Sequence, residues 1–425
     1  MTETESWSQH LRKLEKERAA LERVPESKRD WARYGLTLHL IGNLHRDRES
    51  WREALVLYEA AREAESHLPD KTRDWDSLGK TFHEIANAHR MLGDRATALD
   101  WFRRARDTKE RAPREQRDRV NYATTLHELG DVLETLGDLS AALEAFEDAR
   151  REDEDLPEGA RSRRDQEITL NRIARLHEKR GEWARAIEIL GRALEILESM
   201  PEKDRDWRLH ACHLFRVAYA QIELEDWREA ITSCERARRA HERVSAETRD
   251  LESYARVLEE QSFAYWHLGE LEKSLELLLE ARGALEQILS ERRDHESYGW
   301  TLHHLGRIHG ALGDEKRRLA LLEEARAAKA IVPADDRDWD SYALTLFAIG
   351  VGRRRLADVP GALSSFEDAR KAHERVPEGQ RDWAAYATAL EEVALTHEEL
   401  GDFPSALAAR ELRWTALAHL PSCEW

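Results

Sequence analysis

The chain has 425 residues, a formal charge of −18 and 36% charged residues, with only 10 prolines and 20 glycines. So acidic a chain repels phosphate, which excludes general binding of nucleic acid or of an anionic membrane surface. A composition this rich in Ala, Leu, Glu and Arg, and so rarely interrupted, predicts nearly continuous helix. The three cysteines, Cys212, Cys234 and Cys423, have no CxxC spacing, which points to a reducing, cytoplasmic setting without a disulfide framework. The polar, acidic start lacks the apolar core of a signal peptide, and no stretch approaches 18 apolar residues.

The string Arg-Asp-Trp begins at Arg29, Arg73, Arg205, Arg337 and Arg381, and every spacing is a multiple of 44. Filling the gaps gives nine 44-residue copies, at 29–424, starting at 29, 73, 117, 161, 205, 249, 293, 337 and 381. The fourth departs from the string with Arg161-Ser162. Residues 1–28 form a half-copy, because Trp7 and Pro25 stand 44 residues before Trp51 and Pro69. A single helix is expected there at about 7–24. The packing slots of this half-copy hold His10 and Glu17, and the ninth copy holds Arg410 and Arg413. Charge in those slots predicts end units that present a solvated face, with the last copy capping itself.

Each copy reads as two helices. In the first, a large residue such as Leu38, Phe82 or Leu126 is followed four residues later by a small one such as Gly42, Ala86 or Gly130. That spacing puts both on one face, where the small residue admits a second helix. A turn such as Leu136-Gly137-Asp138 follows. The second helix carries paired alanines, such as Ala54 and Ala61 or Ala98 and Ala105, around a bulky Tyr58 or Phe102. Proline closes most copies, as at Pro69, Pro113, Pro157, Pro201, Pro333, Pro377 and Pro421.

The third copy shows the pattern well, with Leu126, Leu129, Gly130 and Leu133, then Ala142, Phe146 and Ala149. It resembles the tetratricopeptide repeat, in a long-unit form similar to that of kinesin light chains and of bacterial regulatory proteins. The usual unit is about 34 residues, and the extra ten lie around the Pro-to-Arg-Asp-Trp junction. The resemblance implies an all-α, right-handed α-solenoid, a superhelix of helix–turn–helix repeats. It implies a binding role and no chemistry.

In the Arg-Asp-Trp turn, aspartate should cap the incoming helix, tryptophan should pack against the previous repeat, and arginine should pair locally. Histidine ladders (His45, His89, His177, His309, His397; and His39, His83, His127, His303) sit about 10 Å apart from copy to copy, too far to share a metal whose ligands lie at about 2 Å. No phosphate loop, HExxH or catalytic triad order occurs, so no cofactor, metal or enzymatic activity is expected. Arg353-Arg354-Arg355 ends a first helix, where cations suit the helix dipole.

The resemblance places the first helix of each copy on a concave groove, exposing the eighth, eleventh, fifteenth and eighteenth positions. The first two copies then supply Asn43, Arg46, Lys80, Asn87 and Arg90, a basic stretch suited to an acidic segment. The fifth to eighth supply Phe215, Tyr219, Phe263, Trp266, Trp300, His303, Arg307 and Phe347. Clustered exposed aromatics mark interaction sites. The same stretch breaks the packing pattern at Gln261, Ser274 and Arg318, and local rules tend to break at functional sites. The expected function is a monomeric, non-enzymatic scaffold or adaptor that binds a protein or peptide segment, with an apolar anchor in the fifth to eighth copies and an acidic portion near the first two. The alternative is a regulatory or sensor subunit controlling a separate effector enzyme through a change of the superhelix.

Overall fold

The computed structural model describes residues 3–157 and 162–420; Arg161, Pro421 and Cys423 lie outside the described residues. The described residues form nineteen α-helices joined by short turns, with no strand. They divide into two compact units, Met1–Met200 and Pro201–Trp425. The first unit holds α1 (Glu3–Glu22), α2 (Trp31–Arg46), α3 (Trp51–Ser66), α4 (Trp75–Met91), α5 (Arg95–Glu110), α6 (Arg119–Thr135), α7 (Leu139–Glu154), α8 (Arg163–Lys179) and α9 (Trp183–Glu198). The second holds α10 (Trp207–Glu223), α11 (Trp227–Arg243), α12 (Leu251–His267), α13 (Leu271–Glu286), α14 (His295–Ala311), α15 (Glu315–Ile331), α16 (Trp339–Arg355), α17 (Val359–Arg375), α18 (Trp383–Glu399) and α19 (Phe403–Leu417). In each unit a first helix packs on the second helix of its own copy, and that second helix packs on the next copy, as in a tetratricopeptide-repeat-like solenoid. No described helix is long and apolar enough to cross a membrane.

The Arg-Asp-Trp turn does three jobs. Its aspartate caps the incoming helix: Asp30 accepts from the Arg33 amide at 3.1 Å, Asp74 from Ser77 at 3.0 Å and Asp338 from Ser341 at 2.9 Å. Its arginine closes the preceding helix by donating to the orphan carbonyls there, as Arg29 does to Leu21 and Val24 and Arg381 to His373 and Val376. The tryptophan differs from expectation. It stacks within its own copy, on a side chain 36 residues downstream at the end of the second helix. Trp31 lies on His67 at 3.9 Å, Trp383 on His419 at 3.8 Å, and Trp75 takes the Arg111 guanidinium at 4.7 Å. A flat ring between the guanidinium of its own turn and this partner closes the copy on itself.

The small-plus-bulky pairing sets the core. A Cβ built on Gly42 would stand 2.6 Å from the Tyr58 ring, and one on Gly130 2.8 Å from that of Phe146. Tyr58, Phe102, Phe146 and Phe366 are fully buried. The connecting turns need a left-handed residue, which Gly93 and Gly137 supply at φ 89° and 87°; Glu49, Glu225 and Ala357 hold the same conformation without glycine.

Candidate functional site

The four positions assigned to an open groove are not equally open. The eleventh turns inward. His39 meets the Thr81 hydroxyl at 3.1 Å, His83 meets Thr125 at 3.1 Å and His303 meets Thr345 at 3.2 Å. Each bond joins neighbouring copies. His303 is therefore a buried strut and presents no exposed contact. Burial drives His39 down to about 4 and His83 to about 3, and lowers His303 strongly, so all three are neutral at pH 7. Phe347 is half-buried, packed on Phe366 at 5.4 Å.

In the first unit, the groove cations already have partners. Arg46 pairs with Glu84 at 2.8 Å and Arg90 with Glu128 at 3.1 Å. Lys80 bridges Asp76 at 3.1 Å and Asp118 at 2.9 Å. Asn43 accepts from the Tyr58 hydroxyl at 2.8 Å, and Asn87 is held between His83 and Arg90. The carboxylates that match these cations come mostly from the neighbouring copy at positions outside the four-slot map. An acidic segment would have to displace them, so the basic stretch is a set of inter-repeat struts.

The second unit is different. Tyr219 on α10, Phe263 and Trp266 on α12, and Trp300 and Arg307 on α14 converge on one recess of about 310 Å³. Tyr219 and Trp300 are each 39% exposed. Four copies bury a ring at the slot of Tyr58, Phe102, Phe146 and Phe366; the sixth copy has Leu278 there, on α13, and Ser274 stands in an alanine slot. Leu190 and Leu322 fill the same slot in the fourth and seventh copies; here Leu278 and Ser274 line the floor of the recess. Ser262 and Ser274 hydrogen-bond to each other at 2.7 Å in its floor. Phe215 lies in an adjoining hollow beneath the Arg256 guanidinium, 5.0 Å away.

Charge is divided around this recess. The Arg307 guanidinium stands 5.2 Å from the centre of the Trp266 ring, with no carboxylate paired to it, and burial lowers its pKa. Facing it are Glu223, Glu259 and Glu260. Burial raises Glu259 and Glu260 to about 7. Glu259 accepts a short hydrogen bond from Thr301, and Glu260 feels Arg256 on its own helix and Glu223 on α10. His304 packs edge-on to Trp300 at 4.2 Å, its Nε2 buried without a hydrogen-bond partner. Burial takes this imidazole down to about 3, so it is neutral. Among the described residues no group of His, Cys, Asp or Glu is placed to hold a metal ion.

Glu260 and His304 share the twelfth position of their copies and Glu223 the nineteenth, one residue beyond the positions read as groove-facing. Ser274 in an alanine slot was readable in the sequence, and it lines the recess.

Tetratricopeptide repeat models match residues 77–151 and 169–204. No curated protein matches the chain in sequence. In structure, the chain is similar to a signal-transduction ATPase with numerous domains that carries a tetratricopeptide repeat sensor, from Pyrococcus horikoshii. The identity is 14%, the TM-score 0.51, and the match covers 97% of this chain and 54% of that one. This chain thus spans about half the length of that protein. It is also similar to aspartyl phosphate phosphatase F of Bacillus subtilis, at 13% identity, TM-score 0.48 and 93% and 95% coverage of the two chains. The quorum sensor NprR of B. thuringiensis matches at 11% identity, TM-score 0.47, and 81% and 100% coverage.

Proposed function

The chain belongs to the tetratricopeptide repeat superfamily, and from that premise we propose that it is a non-enzymatic scaffold that holds a protein or peptide segment, anchored in the recess between Trp266 and Trp300. One observation carries this reading: the recess gathers four aromatic side chains around a cavity of about 310 Å³ over Leu278 and Ser274. Cavities that bind ligands begin at about 300 Å³ and are mostly apolar with a few polar groups. We place the protein in the cytoplasm as a monomeric adaptor. No acidic portion is placed near Arg46, Lys80 and Arg90, because their charges are already matched.

Peptides selected by phage display against the folded chain test this reading. Trp266→Ala and Trp300→Ala should each weaken the selected peptides by about 2 kcal/mol or more, as truncated hot spots do. If the two rings serve only the core, the loss should appear as about 3–5 kcal/mol of folding stability with affinity unchanged. The sensor likeness favours a second reading, in which the same recess sits on a regulatory arm controlling a separate effector. A scattering profile that changes with peptide would support it.

A further inference from the structure

The ion-pair struts between copies follow a rule. An arginine at the eighteenth position meets a glutamate at the twelfth position of the next copy. Arg46 meets Glu84 at 2.8 Å, Arg90 meets Glu128 at 3.1 Å, and Arg354 meets Glu392. Each of these junctions is held by one such pair. Between the third and fourth copies the pair is reversed, with Glu134 at the eighteenth position and Arg172 at the twelfth. Here the carboxylate gathers more cations than the strut needs. Lys179 reaches Glu134 at 2.6 Å, Arg172 at 3.8 Å and Arg175 at 3.9 Å. Asp131 stands 3.3 Å from Arg172 and balances it. Glu134 is then left to both Arg175 and Lys179, one cation too many.

Arg95 adds to the excess. It opens α5, whereas α3, α7, α9 and α11 open with Trp51, Leu139, Trp183 and Trp227. It lines the same crevice, of about 480 Å³, and makes no ion pair with a described residue. Arg90 lines the crevice too, with its charge matched by Glu128. With Glu128 counted among the carboxylates, the crevice holds two more cations than carboxylates, in a chain of charge −18. Hydrogen-bond donors are in excess as well. Among the described residues, no acceptor takes a hydrogen bond from the guanidinium of Arg95, Arg172 or Arg175, although the last two stand near carboxylates. Arg175 and Lys179 are 46% and 44% exposed, while Glu134 is 9% exposed, so the cations face water and their shared carboxylate does not.

We propose that this crevice binds a phosphorylated peptide, seating one phosphate monoester on the open side of Arg172, Arg175 and Lys179, with Arg95 at its edge. Such a group carries about two negative charges at pH 7, which matches the excess in the crevice. Its oxygens accept forked, charge-assisted hydrogen bonds from guanidiniums, which employs the donors that Asp131 and Glu134 leave unused. A side-chain carboxylate brings half that charge. A nucleic acid brings a continuous row of phosphates against a strongly acidic chain, whereas a peptide brings one. The crevice lies within the first unit, so this inference does not depend on the recess of the second.

The test uses the full chain and three labelled peptides of about nine residues. They share Gly/Ala flanks and carry phosphoserine, serine or glutamate at the centre. Fluorescence anisotropy should show the phosphoserine peptide binding about tenfold or more tighter than the serine peptide, with glutamate between them. Its affinity should fall as salt shortens the screening length below about 8 Å. Arg175→Gln and Lys179→Gln should each remove most of the preference. Both side chains are largely exposed, so circular dichroism and the melting midpoint should stay close to the parent. Arg175→Lys keeps the charge but loses the planar fork, and should weaken the phosphopeptide by only about threefold. A preference retained in both glutamine variants would place the phosphate elsewhere and overturn the proposal. Equal binding of the three peptides, or binding of none, would overturn it too. Inorganic phosphate or a short single-stranded RNA binding as tightly as the phosphopeptide would show a general phosphate site and overturn the peptide assignment.

Discussion

Gly299 lets the side chain of Lys329 lie across α14: a Cβ built on the glycine would stand 2.5 Å from Lys329 Cγ and 3.2 Å from the Ala325 carbonyl. The lysine is fully buried and donates to the Ser341 carbonyl at 3.0 Å. Gly79 and Lys109 repeat the arrangement, with Lys109 donating to the Asn121 carbonyl at 3.1 Å and to Thr125 at 2.5 Å. Other copies solve the same contact with Ala255 and Leu285. Gly299→Ala should therefore cost about 1–3 kcal/mol through overpacking. Lys329→Leu added to it reproduces the alanine–leucine pair and should recover most of that loss. Urea unfolding of both single variants and the double closes the cycle; strictly additive losses would mean that the two residues are not coupled.

The period, the helix pairs and the capping aspartates were legible because each recurs at a fixed spacing. The aromatic positions Tyr219, Phe263, Trp266 and Trp300, with Arg307, were legible as a group, and the structure brings all five to one recess. What escaped was the direction of individual side chains. His303 has the same helical phase as an exposed residue, but the threonine of the next copy pulls it inward. Arg46, Lys80 and Arg90 read as free cations because their partners Glu84, Asp118 and Glu128 belong to a neighbouring helix. Position within one copy does not show what the adjacent copy brings up against it.

Leu278→Phe should close the recess. The ring fits this slot in Phe102, whose copy has Ala86 facing it, so a Cβ at the facing position is tolerated. Here the facing residue is Ser262, of similar size. Folding stability should stay within about 1.5 kcal/mol of the parent, as for a volume change into existing space. Peptides that depend on the recess should lose affinity while the chain melts normally. Unchanged binding in a normally folded variant would place the anchor elsewhere.

The buried histidines of the first unit predict acid sensitivity. His39 and His83 are pushed from 6.5 to about 4 and about 3, mainly by burial, with Lys109, Arg90 and Arg46 acting in the same direction on His83. A depressed histidine is stabilising above the unfolded value, and that stability is lost as pH falls from about 6.5 toward the folded value. Glu65, raised to about 7 by burial, works in the opposite sense. The clean readout is the difference between variants. His83→Gln should lose stability at pH 7, where the Thr125 contact is broken, yet its unfolding midpoint should fall less between pH 6.5 and 4 than that of the parent. Parallel pH curves would mean that His83 is not held neutral.

Glu260 predicts the opposite pH trend in the second unit. Burial lifts it from 4.5 to about 7, with Glu223 on α10 adding to the rise and Arg256 on its own helix opposing it. A carboxyl whose folded pKa is raised contributes stability that is complete below about 4.5 and is lost as pH rises through about 7. Glu260→Gln removes that loss. The variant and parent should unfold at the same urea concentration near pH 4.5, and the variant should gain on the order of 1–3 kcal/mol relative to the parent by pH 8. His303 and His304 titrate in both proteins, so they cancel in the difference. Parallel stability curves for the variant and the parent between pH 4.5 and pH 8 would mean that burial does not hold the Glu260 carboxyl protonated.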